Sequence, residues 1–320
     1  MPDLPIDSAL ISDLEQVDRI VLERVRTRSV VIGVAGRHVL AAGGKRIRAI
    51  LALLSAQIGQ YDLDRVIHAA AAVELIHAAS LVHDDLIDEA ERRRGVPAVH
   101  RRWDGDVALM VGDYLFALAA AEMALAPDPR IIGYFSQGVM TICEGELAPV
   151  TVVTPLEDAL DQYFYKIGCK TAALFEAACK AGAVCGGLAQ AAVDALGRFG
   201  YDLGIAFQII DDVLDYTGLP EQLGKPAAND LRAGTITLPL IYAVDAGGGS
   251  DLAAAIDAAG DETRITAAVA EVVARGGTAR AIATAYEYHD RALEHLAPFA
   301  AQPAARTLVG LAQFVVTRGV

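Results

Sequence analysis

An all-α fold, a large bundle of helices, is predicted from three observations. From Ser8 to about Arg37 apolar residues recur at helical spacing, with Leu10, Leu14, Val17, Ile20, Val21 and Val25 on one side. Ala49–Tyr61 and Leu63–Val82 are apolar nearly all round, as befits helices at the centre of a bundle. From Asp251 onward the chain reads as three amphipathic, alanine-rich helices.

The remaining elements follow in order. Ser8 is the expected cap of the first helix, with Ser12 and Asp13 in its early turns, and this helix serves as scaffold or dimer surface. Val107–Ala126 is a further apolar helix, interrupted at Gly112-Asp113 and ended by Pro127 and Pro129. Ile131–Leu147 follows, then an extended connector over Ala148–Pro155. Leu156–Lys180 is helical, and Gly182 to about Leu214 holds one or two helices. Gly218, Pro220, Gly224-Lys225-Pro226 and Asn229-Asp230 punctuate a loop before an apolar helix over Leu231–Ala246, and Gly247–Ser250 is a surface turn. No linker divides the chain, so residues 1–320 are expected to form a single domain.

Composition bounds the function. The chain is 54% hydrophobic with a mean hydropathy of +0.36, yet no uncharged run approaches the ~18–20 residues of a membrane span. The apolar excess must be buried between helices or in a subunit interface. A net charge of −14 argues against general nucleic-acid binding. The N-terminus lacks a basic region followed by an apolar core, so no secretory signal is read there. Cys143, Cys169, Cys179 and Cys185 show no CxxC spacing and are expected to be reduced, mostly buried thiols of a cytoplasmic protein.

The chemistry is concentrated in a few segments. His83-Asp84-Asp85-Leu86-Ile87-Asp88 ends a long apolar run, and clustered carboxylates repel one another unless a cation removes the cost. Asp84 and Asp88 are i and i+4, on one face of a helix, and can share a hard metal ion; Asp85 is turned away into a supporting role. The spacing recurs in Asp211-Asp212-Val213-Leu214-Asp215, again after an apolar run. A lone acidic cluster is usually a solvated helix end. Two copies of Asp-Asp-x-x-Asp, each capping an apolar helix, instead suit Mg²⁺ shared between protein carboxylates and a substrate diphosphate. Positive charge is locally concentrated. In Ala42-Gly43-Gly44-Lys45-Arg46-Ile47-Arg48, Lys45 and Arg48 face one way and can clamp a diphosphate, while Arg46 points elsewhere. Arg92-Arg93-Arg94 follows the first acidic cluster closely enough to reach phosphate oxygens there. His77 lies two turns before Asp84, where a ligand role competes with that of a core histidine. His83 can equally serve as a structural hydrogen-bond partner.

Two Asp-Asp-x-x-Asp motifs, Gly43-Gly44-Lys45-Arg46-Ile47-Arg48, Arg93-Arg94-Gly95, Lys170-Thr171, Phe207-Gln208 and Gly224-Lys225 occur in an order that resembles the trans-prenyl diphosphate synthases of the polyprenyl synthetase family. The resemblance runs from about Gly43 to Pro239. It implies the isoprenoid synthase fold, an all-α bundle around a deep central cavity, usually as a homodimer. It also implies head-to-tail condensation of isopentenyl diphosphate with an allylic diphosphate (geranyl, farnesyl or geranylgeranyl) and three Mg²⁺ ions per site. By this resemblance Asp84 and Asp88 are ligands of two ions. Asp211 is the ligand of the third, with Asp212 and Asp215 in support. Arg93, Lys170, Gln208 and Lys225 contact the allylic diphosphate; Lys45, Arg48, His77 and Arg94 contact isopentenyl diphosphate. Thr171 and Gln208 lie near the developing carbocation. The chain departs from the family pattern at Ala49, where proline is common, at Pro149 in place of glutamine, at Ala228 in place of glycine and at Thr235 in place of lysine.

Product length is a matter of cavity depth. Ala79 and Ser80, one turn below the aspartates, are small, which predicts a product of geranylgeranyl length or longer. The rival readings are a class I terpene cyclase, against which the Gly43–Arg48 segment argues, and a regulatory subunit of a heteromeric synthase, where degraded aspartate motifs would be expected.

Overall fold

Side-chain caps and glycine contacts decide where the helices start, stop and cross. The structure is a computed structural model and describes residues 4–218, 228–248, 252 and 261–318. Among these the chain is helical, apart from loops and one two-residue antiparallel pairing of Arg92–Arg93 with Val96–Pro97, so the all-α prediction holds. Two compact units are resolved, Met1–Val139 with Ala177–Gly197 and Pro298–Leu308, and Met140–Glu176 with Arg198–Ala297 and Val309–Val320.

In the first unit, α1 (Ser8–Arg24) is capped by Asp7, whose carboxylate accepts from the Leu10 N–H at 2.9 Å; Ser8, the expected cap, lies inside the helix. The helix expected to run to Arg37 breaks after Arg24 and restarts as α2 (Val30–Ala41), capped by Ser29. The break lets Val25 tuck under Gly36, where a Cβ would come within 2.5 Å of Val25 Cγ1. Next come α3 (Ile47–Gln57) and α4 (Leu63–Ile87), with α4 packed on α3, α1, the short α5 (Val99–Arg102) and α6 (Gly105–Met123), which α7 (Arg130–Glu146) follows. α4 runs five residues beyond Val82 and so carries Asp84 and Asp85 in its last turn, with Asp88 as its C-cap. By length and composition α4 could cross a membrane, but 72% of its apolar window is buried, as in a core helix. The expected interruption of α6 at Gly112-Asp113 does not occur. Gly112 is there for packing: a Cβ would lie 2.1 Å from His83 Nε2. His83 takes the structural role, with Nε2 donating to the Leu109 carbonyl at 3.2 Å. Gly182 and Gly186 bring the chain around the end of α9 (Ala173–Cys185) against the α3 backbone, where added Cβ atoms would sit 2.0 Å from Ala52 O and 2.6 Å from Ala56 O.

In the second unit, the helix expected over Leu156–Lys180 is divided. α8 (Leu156–Ile167) gives way to a π-helical turn, Gly168–Ala172, before α9 begins. The long α10 (Gln190–Thr217) enters this unit at Arg198 and carries the second acidic motif. The helix expected over Leu231–Ala246 is instead two short pieces, α11 (Asn229–Arg232) and α12 (Leu238–Ala243). Pro239 is the reason: it needs no N–H in a first helical turn but would break a helix interior. Tyr216, Ala228, Leu231, Leu240, Val244, Ile265 and Val272 share a buried hydrophobic cluster. Here α13 (Glu262–Ala274) and α14 (Gly277–Leu296) pack on α12, and Gly277 meets the Pro239 carbonyl so closely that a Cβ would lie 2.2 Å away. Among the described residues α13, α14 and α15 (Pro303–Thr317), the last shared between the two units, stand where helices were expected after Asp251, and residues 249–251 and 253–260 lie outside the described residues. Cys169, Cys179 and Cys185 are buried and all four cysteines are free thiols, as expected.

The Gly182 contact gives a direct test of α9–α3 packing. A Gly182→Ala substitution should destabilise the protein by about 2–3 kcal/mol, because the Ala52 backbone leaves the methyl group no space. Thermal melting of variant and wild type measures it.

Candidate active site

In the first unit the basic segment is anchored by an acid that sequence reading missed. Glu74 is 3% exposed, mid-way along α4. Its Oε1 accepts from the Ala49 N–H at 3.1 Å, and its Oε2 accepts from Arg46 Nη1 at 3.2 Å. Arg46 also pairs with Asp18 at 2.8 Å through Nε. Arg46 caps α3 in the left-handed region (φ 53°) and, although the sequence suggested that it points elsewhere, it lines one cavity with His77, Arg93 and Arg94. Proline at position 49 could not donate the bond to Glu74, so Ala49 has a structural reason in this chain.

His77 lies one turn beyond Glu74. Its pKa is held well below the usual histidine range, first by burial and then by Arg48, Arg94, Arg93 and Arg46. Of the basic segment Ala42 and Arg46, but not Lys45 or Arg48, line one cavity with His77, Arg93, Arg94, Glu74, Asp85 and Val99. The arginine loop is a tight hairpin turn in which Arg94 (φ 51°) and Gly95 (φ 80°) both take positive φ. Arg94 folds onto Gly44, where a Cβ would stand 2.7 Å from its Nη1. Asp85 is 5% exposed and accepts from Arg93 Nε at 2.9 Å and Nη2 at 2.5 Å, so it positions the arginine rather than a metal. Asp84 is half-buried and Asp88 is exposed; the Asp88 N–H donates to the Asp84 carbonyl at 2.8 Å, which closes the last turn of α4. Ser80, four residues before Asp84, is half-buried with its hydroxyl donating to the His77 carbonyl at 3.0 Å. Ala79 is fully buried.

In the second unit the three aspartates are divided among three tasks. Asp211 remains 42% exposed and pairs with Arg318 at 2.6 Å. Asp212 is buried; it accepts from Tyr163 Oη at 2.7 Å and from Gln208 Nε2 at 2.8 Å. Burial raises its pKa well above the usual carboxylate value, reinforced by Asp230. Asp215 is buried and accepts from the Asp230 N–H at 2.9 Å, while its carbonyl takes the Ala228 N–H at 2.6 Å. Thr171, in the π-helical turn, donates to Gln208 Oε1 at 2.7 Å, which joins the two sequence-predicted residues in one chain ending at Asp212 and Tyr163. Lys170 pairs with Glu146 at 2.9 Å. Thr235, at the position of the family's lysine, has its N–H bonded to the Asp230 carbonyl at 2.7 Å. Lys225 lies outside the described residues.

The accessible carboxylates suit a hard divalent cation in kind. Asp84, Asp88 and Asp211 offer oxygen donors to solvent, whereas Asp85, Asp212 and Asp215 are buried and committed. Among the described residues no three His, Cys, Asp or Glu side chains converge on one point. Mg²⁺ usually takes one or two carboxylates and completes its octahedron with water and phosphate oxygens. Glu74, Tyr163, Glu146 and Arg318 were not read from the sequence. The single signal was Glu74 itself, one acid in an otherwise apolar run from Ala69 to Ile76.

Comparison with known proteins follows the same lines. The Polyprenyl synthetase family profile matches residues 30–275. Component 2 of heptaprenyl diphosphate synthase from Geobacillus stearothermophilus is 42% identical over 287 residues, 90% of this chain and 88% of that protein. Octaprenyl diphosphate synthase from Escherichia coli K12 is 31% identical over 98% of both chains. A polyprenyl synthase from Caulobacter crescentus CB15, solved in complex with calcium and isoprenyl diphosphate, superposes with a TM-score of 0.91 at 35% identity, covering 97% of this chain and 95% of that one.

Two measurements check the site. His77 has a lower pKa folded than unfolded, so the unfolded chain binds a proton below about pH 6.5 that the folded chain refuses. Its contribution is complete above that pH and is lost as pH falls, at up to about 1.4 kcal/mol per unit. His77→Gln should therefore flatten the acid limb of the stability–pH curve. Ala49→Pro should cost about 1–3 kcal/mol by leaving one oxygen of buried Glu74 without its donor, measured by denaturant unfolding.

Proposed function

This chain belongs to the polyprenyl synthetase family, and we propose that it condenses isopentenyl diphosphate head-to-tail with an allylic diphosphate to give a trans-polyprenyl diphosphate of geranylgeranyl length or longer. Its relatives are prenyltransferases, and so is this enzyme. The observation that carries the finer reading is the sorting of carboxylates: Asp84, Asp88 and Asp211 accessible, their three motif partners buried.

Asp84 and Asp88 would hold two Mg²⁺ ions and Asp211 a third, with Asp212 and Asp215 fixing the end of α10. Mg²⁺ bound there supplies charge stabilisation for the diphosphate that leaves the allylic carbon. Arg93, oriented by Asp85, and Lys170, Gln208 and Lys225 hold the allylic diphosphate. Lys45, Arg48, Arg94 and neutral His77 hold isopentenyl diphosphate. A neutral imidazole donates one hydrogen bond without adding charge to the surrounding arginines. The Thr171 and Gln208 oxygens stabilise the allylic cation; the isopentenyl double bond attacks it, and the departing diphosphate accepts the proton then lost. Surrounding apolar side chains exclude water, which would trap the cation. Both units are proposed to belong to one polyprenyl synthetase domain, since the family match takes in parts of each.

Assembly admits two readings. A homodimer is proposed from the family resemblance and from the outward apolar face of α6, where Leu109 and Met110 are 45% and 49% exposed. The second reading, the catalytic component of a two-component synthase, is favoured by relatives called component 2. Both aspartate motifs are intact, which argues against a purely regulatory subunit. A cytoplasmic location remains the proposal.

The assay is purified chain with Mg²⁺, isopentenyl diphosphate and farnesyl diphosphate, followed by chromatography of the lipid products. Linear prenyl diphosphates longer than farnesyl are expected. Cyclised hydrocarbon would support a cyclase instead, and turnover only with an added partner would select the two-component reading. Asp84→Asn and Asp211→Asn should each lower kcat by about 10²-fold or more. Ser80→Phe should shorten the product, since position 80 lies directly beneath Asp84 on α4. Phe at Ala79 would be forced into packed core, so unchanged product lengths in the Ser80 variant would remove this explanation of chain length.

A further inference from the structure

We propose that Arg318 is the resident counter-cation of Asp211, standing at that carboxylate until a divalent ion takes its place. The inference rests on the reading of Asp211 as a metal ligand. Arg318 is the first residue beyond α15, and its N–H donates to the Phe314 carbonyl at 3.2 Å. Its guanidinium carbon lies 3.8 Å from the centre of the Phe207 ring. Nη2 donates to the Phe207 carbonyl at 2.9 Å and reaches Asp211 Oδ1 at 2.6 Å. The Arg318 side chain is only 11% exposed while Asp211 is 42% exposed, so the pair is sheltered on the arginine side and open to an ion on the carboxylate side.

Three features mark the pairing as exchangeable. A divalent ion on Asp211 would share one carboxylate with a guanidinium already 2.6 Å away. At that range a doubly charged ion repels Arg318 more strongly than the single charge of Asp211 attracts it. The two cations therefore exclude each other. Arg318 Nε is buried without an acceptor among the described residues, so the seat does not satisfy the whole guanidinium. Lying past Thr317, the last residue of α15, the side chain can swing out without unwinding a helical turn. While the ion is absent, Arg318 offsets the charge of Asp211 beside buried Asp212 and Asp215.

Mn²⁺ titration of the full chain, followed by the paramagnetic resonance of free Mn²⁺, tests this without reference to turnover. Asp211→Asn identifies the site by removing it. Arg318→Gln should bind Mn²⁺ at that site about tenfold more tightly than wild type, and in chelator its melting temperature should fall. Arg318→Met keeps the stem over Phe207 but removes the charge, so it should tighten binding similarly and serves if the Gln variant does not fold. Unchanged or weaker Mn²⁺ binding in folded Arg318 variants, with the Asp211 site intact, would overturn the proposal alone. If Asp211→Asn removes no Mn²⁺ site, the metal reading of Asp211 fails and takes the proposal with it.

Discussion

A carboxylate at the end of a buried helix has to be answered by donors or by positive charge, and both acidic motifs are built around that requirement. In α4, Asp85 turns inward and is answered by the fork of Arg93, while Asp84 and Asp88 stay accessible. In α10, Asp212 turns inward to Tyr163 and Gln208, Asp215 holds the chain at Ala228 and Asp230, and Asp211 stays accessible. The buried members fix the helix ends, and the rigid ends aim the accessible ones. Replacing an inward aspartate would strand Tyr163 or Arg93 as well as remove a charge, so its loss would act through position rather than coordination.

Backbone strain is concentrated in the same segments. Among the described residues the non-glycine residues with positive φ are Arg46, Glu89, Arg94 and Ala228. They fall in the basic segment, just past Asp88, in the arginine hairpin and just past the second acidic motif. Such conformations cost about 1–2 kcal/mol each and persist only where neighbours enforce them. Arg46 is enforced by Glu74 and Asp18, and Ala228 by its N–H bond to the Asp215 carbonyl. The departure from the family's glycine at 228 therefore has a physical cost that this bond, and the hydrophobic cluster around Ala228, help to offset.

Much of this was legible in the sequence because its signals are periodic or local. The helices, the accessibility of Asp84 and Asp88 and the inward turn of Asp85 all follow from helical spacing. Failures came where tertiary contact decided. Nothing local announces that Val25 must fit under Gly36, so one helix was expected where two form. Gly112 reads as a break, yet it is the surface His83 rests on. The π-helical turn at Gly168–Ala172 has the composition of ordinary helix, although Gly168 and Gly145 admit Tyr201 and Cys169 so closely that a Cβ would collide. Arg318 could not be found by spacing at all, since it lies more than a hundred positions from Asp211.

The basic cluster of the first unit follows the same logic with the signs reversed. Arg46, Arg48, Arg93 and Arg94 surround one histidine, an arrangement that would repel itself apart in a chain without compensation. Glu74 and Asp85 supply that compensation from α4, fourteen and three residues before its C-cap Asp88. Each acid is nearly dry and commits to one arginine, Glu74 to Arg46 and Asp85 to Arg93. Charge is thus cancelled at the anchors and left in excess around His77, where the imidazole stays neutral and adds none of its own. A protein of net charge −14 can in this way present a local anion seat, because the acids that dominate its composition are placed to hold arginines still rather than to neutralise all of them.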